Sequence, residues 1–171
     1  MRKTFRLLLP LAVVGALASG LALHGATARA TDGNRFEATF TESPQSLTNR
    51  LADLGTLQLI TTGTGTVNRF GSASVVVGIT EDHSVTPCGA GSATNVATRR
   101  ITLSEGVLVM DELSILCQTA SGPKITGSYQ VDGRSSTGAF ADASGSGQLS
   151  VDVATATSTL SGKLHLAGGD S

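Results

Sequence analysis

From Arg35 onward, apolar and polar residues alternate with a period of two in short runs separated by Gly, Ser and Thr. This alternation places successive side chains on opposite faces of a strand, and no stretch sustains the 3.6-residue period of a helix. The pattern therefore predicts about eight strands and almost no helix. The strands are expected at 35–41, 56–68, 72–80, 94–103, 107–118, 123–131, 148–154 and 159–167.

Three connecting segments follow from the breaks in this pattern. Residues 43–53 are polar and contain Pro44, so they are predicted to form a loop. Residues 81–92 are predicted to form a second loop, in which Glu81, Asp82 and His83 make a solvated turn rather than a metal or acid–base site. Residues 104–106 are a three-residue connection containing Gly, which is typical of a β-hairpin.

The strand count predicts a closed barrel. Eight strands joined by short loops can close into a barrel whose interior holds side chains or one small ligand. Closure would remove free sheet edges from a chain rich in Thr and Val. Gly63, Gly65, Gly127 and Gly162 lie within predicted strands, which suits strands that bend sharply around a small barrel. The predicted fold is thus all-β, a closed eight-stranded antiparallel barrel, with a two-sheet sandwich as the alternative.

The first thirty residues have the layout of a secretory signal peptide. Three basic residues within the first six precede an apolar run over 7–23, and Ala28, Arg29 and Ala30 form a small-x-small cleavage site. We therefore expect cleavage after Ala30, a secreted protein, and one mature domain spanning residues 31–171. An uncleaved membrane anchor is the alternative.

Cleavage would leave an acidic chain. The whole sequence has 12 Lys and Arg against 13 Asp and Glu, and four of the basic residues lie in the predicted leader. The mature chain would keep 8 basic and 13 acidic residues, which gives a net charge of −5. With one Tyr, no Trp and no basic stripe, the mature chain is a poor candidate for binding nucleic acid or an anionic membrane.

Two cysteines, Cys88 and Cys117, lie in the predicted mature chain. An even pair in an exported protein most often forms a disulfide. The closed loop of about 30 residues would stabilise the fold by roughly 3 to 4 kcal/mol. Neither a CxxC motif nor a neighbouring histidine completes a set of metal ligands, so no metal or other cofactor is expected.

Residues 127–147, GSYQVDGRSSTGAFADASGSG, combine a tyrosine strand, a glycine turn, a compact turn around Phe140 and a Ser/Gly run that leads into the next strand. This stretch resembles the allene oxide cyclase-like and dirigent-like barrel proteins, most closely their small secreted bacterial members. It differs at Asp132, where members often have a second glycine, and at Ala139 and Asp142, where Arg or Gly is common.

The resemblance implies an eight-stranded barrel with a central apolar cavity. It carries over no catalytic set, because the matching residues belong to turns and packing positions. Enzymes of this group steer a reactive or flexible substrate into one folded shape, which requires cavity shape and few reactive groups. A sequence without catalytic motifs is therefore compatible with such an enzyme.

Strand alternation also predicts which side chains face the interior. The candidate ligand-binding lining is Phe36, Phe40, Val109, Leu113, Ile125, Tyr129, Leu149, Val151 and Leu164. Tyr129, the only tyrosine, either contacts a ligand or fills the core, and the core is favoured. Asp111 lies two residues from both Val109 and Leu113, so it is on the same face of the predicted strand. If that face points inward, its carboxyl could act as a general acid with a raised pKa. A bulge or an outward Asp111 is the favoured interpretation.

Three functions remain open from the sequence. The first is a non-catalytic secreted barrel that binds a small apolar ligand in its interior. The second is a cyclase or isomerase that controls the conformation of an apolar substrate, with Tyr129 or Asp111 as a polar helper. The third is a cell-surface structural or interaction protein that forms a homo-oligomer through its outer face. A hollow barrel would favour the first two functions, and a filled barrel with an apolar outer patch would favour the third.

Overall fold

The computed structural model describes residues 34–51 and 55–168. The strands are β1 Arg35–Leu51, β2 Thr56–Val67, β3 Gly71–Asp82, β4 Ala93–Leu103, β5 Gly106–Thr119, β6 Gly122–Val131, β7 Ser144–Asp152 and β8 Thr157–His165. Each strand pairs antiparallel with the next, and β1 pairs with β8 to complete the ring. The predicted closed eight-stranded antiparallel barrel is confirmed. The predicted signal peptide, residues 1–30, lies outside the described residues.

The prediction of a polar loop over 43–53 is wrong for the residues described. β1 continues through this stretch to Leu51 and stays paired with β2. Its register shifts between Pro44 and Ser46 and again between Leu47 and Asn49. Such bulges accommodate a proline and extra residues within a strand, which explains why a polar, proline-containing segment still belongs to the sheet.

Two further strand boundaries differ from the prediction. β3 continues through Glu81 and Asp82, which were expected in a loop, and β7 begins at Ser144, within the Ser/Gly run. In that run the small residues allow close approach of the neighbouring strand: a Cβ at Gly145 would lie 2.1 Å from the carbonyl oxygen of Lys163 on β8. Glycine here serves strand packing rather than a turn.

The two ends of the barrel are different. At one end, here called the closed end, the β6–β7 connection at 132–143 folds over the barrel and buries Phe140 completely. Phe140 packs edge-to-face on Phe70, with ring centroids 5.1 Å apart. The hydrophobic core, which includes Phe36, Val75 and Ile101, packs against this aromatic pair. The interior is therefore filled with apolar side chains at the closed end.

The opposite end, here called the open end, carries the β1–β2, β3–β4, β5–β6 and β7–β8 connections. A disulfide joins Cys88 in the β3–β4 connection to Cys117 on β5, with Cα atoms 5.8 Å apart, which confirms the predicted pair. Within residues 34–51 and 55–168, no helix has the length and hydropathy needed to cross a membrane.

Candidate ligand site at the open end of the barrel

A cavity of ≈ 340 Å³ lies inside the barrel at the open end. Inward-facing side chains from successive strands form its apolar wall, including Leu59, Ile79, Ala97, Ile125, Leu149 and Val151. Pro44, Val153 and Ala156 line it near the β1 bulge and the β7–β8 connection. The period-two alternation of the strands places these side chains inward, so the wall follows directly from the strand pattern.

Glu42, Arg99 and Glu112 form a buried ion cluster at the inner end of this cavity. They come from β1, β4 and β5, respectively, and all three line the cavity. Nε of Arg99 donates to Oε1 of Glu112 at 2.5 Å, and Nη1 donates to Oε1 of Glu42 at 2.5 Å. Glu42 accepts two further hydrogen bonds, from Thr61 at 2.8 Å and from Ser158.

The two carboxyl groups are shifted in opposite directions. Burial alone would raise the pKa of Glu42, but the charge of Arg99 and the hydrogen bonds from Ser158, Arg99 and Thr61 together lower it. Burial raises the pKa of Glu112, the nearby charge of Glu42 adds to that rise, and Arg99 offsets only part of it. Glu42 is therefore the carboxylate that holds its charge, and Glu112 is the one that binds a proton more readily.

Arg99 is 2% exposed, yet it keeps its charge. Burial works to lower the pKa of its guanidinium, and the two glutamates outweigh burial and raise it. The guanidinium carbon also lies 6.0 Å from the centroid of the Phe40 ring, within reach of a cation–π contact. A buried arginine is tolerated here because two carboxyl groups and an aromatic face surround it.

A second polar group lies nearer to the open end. Glu81, Asn95 and Ser114 are neighbours in register across β3, β4 and β5, and all three line the cavity. Glu81 is buried, with Oε2 3.3 Å from Nε2 of the half-exposed His83. The side-chain nitrogen and oxygen of Asn95 are buried without a hydrogen-bond partner among the described residues.

Within the part of the chain that the structure describes, no group of three or more His, Cys, Asp or Glu side chains is arranged to hold a metal ion. No protein-family model matches the chain, and no curated protein or solved structure matches it either.

The predicted lining residues fall into two groups on the inner face. Ile125, Leu149 and Val151 line the cavity. Phe36, Phe40 and Leu164 face inward too, but they are fully packed in the hydrophobic core. The alternation predicted the inward face correctly at these six positions, while the position along the barrel axis decides whether a side chain meets the cavity or the core.

Tyr129 is a buried core residue, as favoured from the sequence. Its ring packs edge-to-face on Phe36 at 6.0 Å, and burial raises its pKa to about 12. A Cβ at Gly147 would lie 2.4 Å from the Tyr129 hydroxyl oxygen, and one at Gly162 would lie 2.6 Å from it. These two glycines therefore make room for the hydroxyl, which has no hydrogen-bond partner among the described residues.

The predicted inward placement of Val109 and Leu113 is wrong. Leu113 is 65% exposed on the outer face beside Val96, its cross-strand partner. Val109 lies on the outer face too, but it is buried because the β6–β7 connection covers it. The hydroxyl of Ser136 in this connection accepts a hydrogen bond from the Val109 amide at 2.9 Å. Asp111 is exposed and accepts a hydrogen bond from Thr98 at 3.2 Å, so the solvent-facing interpretation is confirmed.

The parity error on β5 has a simple cause. Residues 107–110 are all apolar and are followed by two acidic residues, so the alternation there fits either face. Sequence reasoning missed Glu112 on this strand, and it also missed Glu42 on β1 and Arg99 on β4. A signal for two of them was present: Arg99 and Arg100 are adjacent in one strand of a hairpin, and Asp111 and Glu112 are adjacent in the other. Because adjacent strand residues face opposite sides, one charge of each pair must point inward.

Proposed function

We propose that the protein binds one small, largely apolar molecule in the cavity at the open end of the barrel. The observation that carries this proposal is the contrast between the two ends. The closed end is filled by Phe140 and the core, whereas the open end leaves ≈ 340 Å³ between apolar walls. Ligand sites typically have about 300 to 1,000 Å³, apolar walls and a few polar groups that orient the ligand.

The polar groups support the same proposal. Burying an ion cluster costs desolvation, and apolar residues of similar volume are often as stable or more stable. Glu42, Arg99 and Glu112 would orient a bound molecule from the inner end of the cavity. The resemblance of residues 127–147 to allene oxide cyclase-like barrels agrees with a ligand-holding interior.

Binding can be tested with three naphthalene probes that differ only in the head group: 2-naphthylmethylamine, 2-naphthylmethanol and 2-naphthoate. We expect calorimetric titration at pH 7 to show one site for at least one probe. Val153→Trp should weaken binding at least tenfold, because Val153 lines the cavity and is exposed enough for an indole to lie across the opening.

The matched control is Val85→Trp, which introduces the same side chain at an exposed position that does not line the cavity. Its affinity should equal that of the wild type. Failure of all three probes to bind, or equal weakening by both tryptophans, would overturn the proposed site.

A second candidate function, a cyclase or isomerase, is favoured by Glu112. This carboxyl is 3% exposed, lines the cavity and has a pKa raised by burial, which suits a general acid. A small molecule extracted from the purified protein would be incubated with wild type and with Glu112→Gln, and its conversion followed by chromatography and mass spectrometry. We expect conversion at saturating concentrations of the molecule to slow by about 100-fold or more in the variant. Equal rates would exclude this role.

We also propose that the protein works outside the cytoplasm. The leader pattern of residues 1–30 supports this, as does the disulfide between Cys88 and Cys117, because disulfides form and persist in oxidising compartments. The intact mass of protein recovered from the medium should correspond to a chain that begins at Thr31. A mass that includes Met1 would contradict the proposal.

A further inference from the structure

The charges that line the cavity point to the chemical class of its ligand. We propose that the cavity takes a molecule with an apolar body and one ammonium group, and that the ammonium lies among Glu81, Asn95 and Glu112. This inference rests on the proposed binding function and deepens it.

The first observation is the balance of charge. Three glutamates, Glu42, Glu81 and Glu112, line the cavity, and Arg99 is the one basic residue among the described lining residues. Arg99 already donates to two of these carboxyl groups. An anionic ligand would therefore meet carboxyl groups from three strands, whereas a cation would offset a surplus of negative charge.

The second observation is independent of the acidic residues. Asn95 is 3% exposed and lines the cavity, and neither its amide nitrogen nor its amide oxygen has a hydrogen-bond partner among the described residues. A buried carboxamide oxygen left without a donor is unfavourable, so the site favours a molecule that supplies one. An ammonium carries three donors and no acceptor, which matches the oxygen of a carboxamide beside carboxylates.

The strand register brings these acceptors together. Asn95 on β4 is flanked by Glu81 on β3 and by Ser114 on β5. Glu112 is two residues from Ser114 on β5, on the same inward face. An ammonium at Asn95 thus has acceptors on three adjacent strands, while the apolar body of the ligand lies against Ile79, Ala97 and Ile125.

The three naphthalene probes separate this inference from the proposed function. Binding to wild-type protein at pH 7 should follow the order ammonium, alcohol, carboxylate, and 2-naphthylmethylamine should bind at least tenfold more tightly than 2-naphthylmethanol. If the alcohol or 2-naphthoate binds as tightly as the amine, the ligand class is overturned while the binding function stands. If none of the probes binds, both proposals fail.

Glu81→Gln tests the position of the ammonium. This variant keeps the size of the side chain and removes its charge, so the preference for the amine over the alcohol should fall about tenfold with little change in the affinity for the alcohol.

Glu105→Gln is the matched control, because it makes the same change in net charge at an exposed position in the β4–β5 connection at the closed end. Equal loss of preference in both variants would show a general surface effect and overturn the placement. Circular dichroism melting curves establish that both variants are folded, and the wild-type probe order tests the proposal independently of either variant.

Discussion

At the scale of single residues, two adjacent arginines illustrate how strand alternation creates the buried ion cluster. Arg99 faces the interior at 2% exposed, and Arg100, its neighbour on the same strand, is exposed. Arg99 forms ion pairs with Glu42 on β1 and with Glu112 on β5. Glu42 contributes stability that is present above the usual glutamate pKa and is lost as the pH falls through its lowered value. The contribution of Glu112 to stability has the opposite pH dependence, because its pKa is raised in the folded state. It is present below the usual glutamate pKa and is lost as the pH rises through the raised value.

Arg99→Met should lower the free energy of unfolding by about 3 to 5 kcal/mol at pH 7, because it leaves two buried carboxylates without their cation. Without Arg99, burial raises the pKa of both carboxyls, so the variant regains stability relative to wild type as the pH falls towards 4 and they are protonated. Urea unfolding at pH 7 and pH 4 measures both effects. Arg100→Met, the matched control, should change stability by about 0.5 kcal/mol or less. An equal loss of unfolding free energy in both variants, or a difference between Arg99→Met and wild type that does not depend on pH, would contradict a stabilising role for the buried ion cluster.

At the scale of secondary-structure elements, the pairing of β1 with β2 depends on two glycines. A Cβ at Gly65 would lie 1.9 Å from the carbonyl oxygen of Thr39, and one at Gly63 would lie 2.2 Å from that of Thr41. Both contacts are to backbone atoms of β1, which cannot swing aside as a flexible side chain can. The two strands therefore pack this closely only because β2 lacks side chains at these positions.

Gly65→Ala should destabilise the barrel by about 1 to 3 kcal/mol, since the added methyl group forces β1 and β2 apart. Gly78→Ala on β3 is the matched control, because a Cβ there would have no neighbouring atom within 4 Å. Replacing a strand glycine with alanine where there is room should be neutral or stabilise by up to about 1 kcal/mol. Thermal and urea unfolding of the two variants distinguish these outcomes, and similar stabilities for both would show that the close approach of β1 is not limiting.

At the scale of the whole molecule, the barrel is held together differently at its two ends. The closed end has an apolar plug, with Phe140 and Phe70 packed against the core. The open end contains the cavity and is held by a covalent link between the β3–β4 connection and β5. Leu116, which lines the cavity, is adjacent to Cys117 in this link. The disulfide thus supports the end of the barrel where packing is incomplete.

Replacing both Cys88 and Cys117 with alanine should lower the free energy of unfolding by about 3 to 4 kcal/mol, as expected for a link between residues 29 apart in the chain. The barrel should still fold, because the core lies towards the closed end. Urea unfolding of the double variant and of reduced wild type should give the same loss. Wild-type stability in the double variant would show that the link constrains neither the unfolded chain nor the open end.

The amino-acid sequence by itself determined the class of fold and one covalent link. Alternation over eight short segments was enough to predict a closed antiparallel barrel, because the period of two is a local property of each strand. The pairing of Cys88 with Cys117 was predicted because the sequence has two cysteines. Inward positions such as Ile125 and Leu149 were also correctly predicted, since apolar and polar residues alternate cleanly around them.

Only the tertiary structure decided which charges are buried and where the barrel is hollow. In β5, apolar residues stand next to one another and so do charged ones, so alternation alone cannot assign a face there. The assignment comes from closure of the ring, which brings Glu42 to Arg99 across 57 positions of the chain and Ser158 to Glu42 across 116. The free energy of a buried charge depends on partners that are distant in sequence, and this is why the ion cluster and the cavity beside it emerge only when all eight strands are in place.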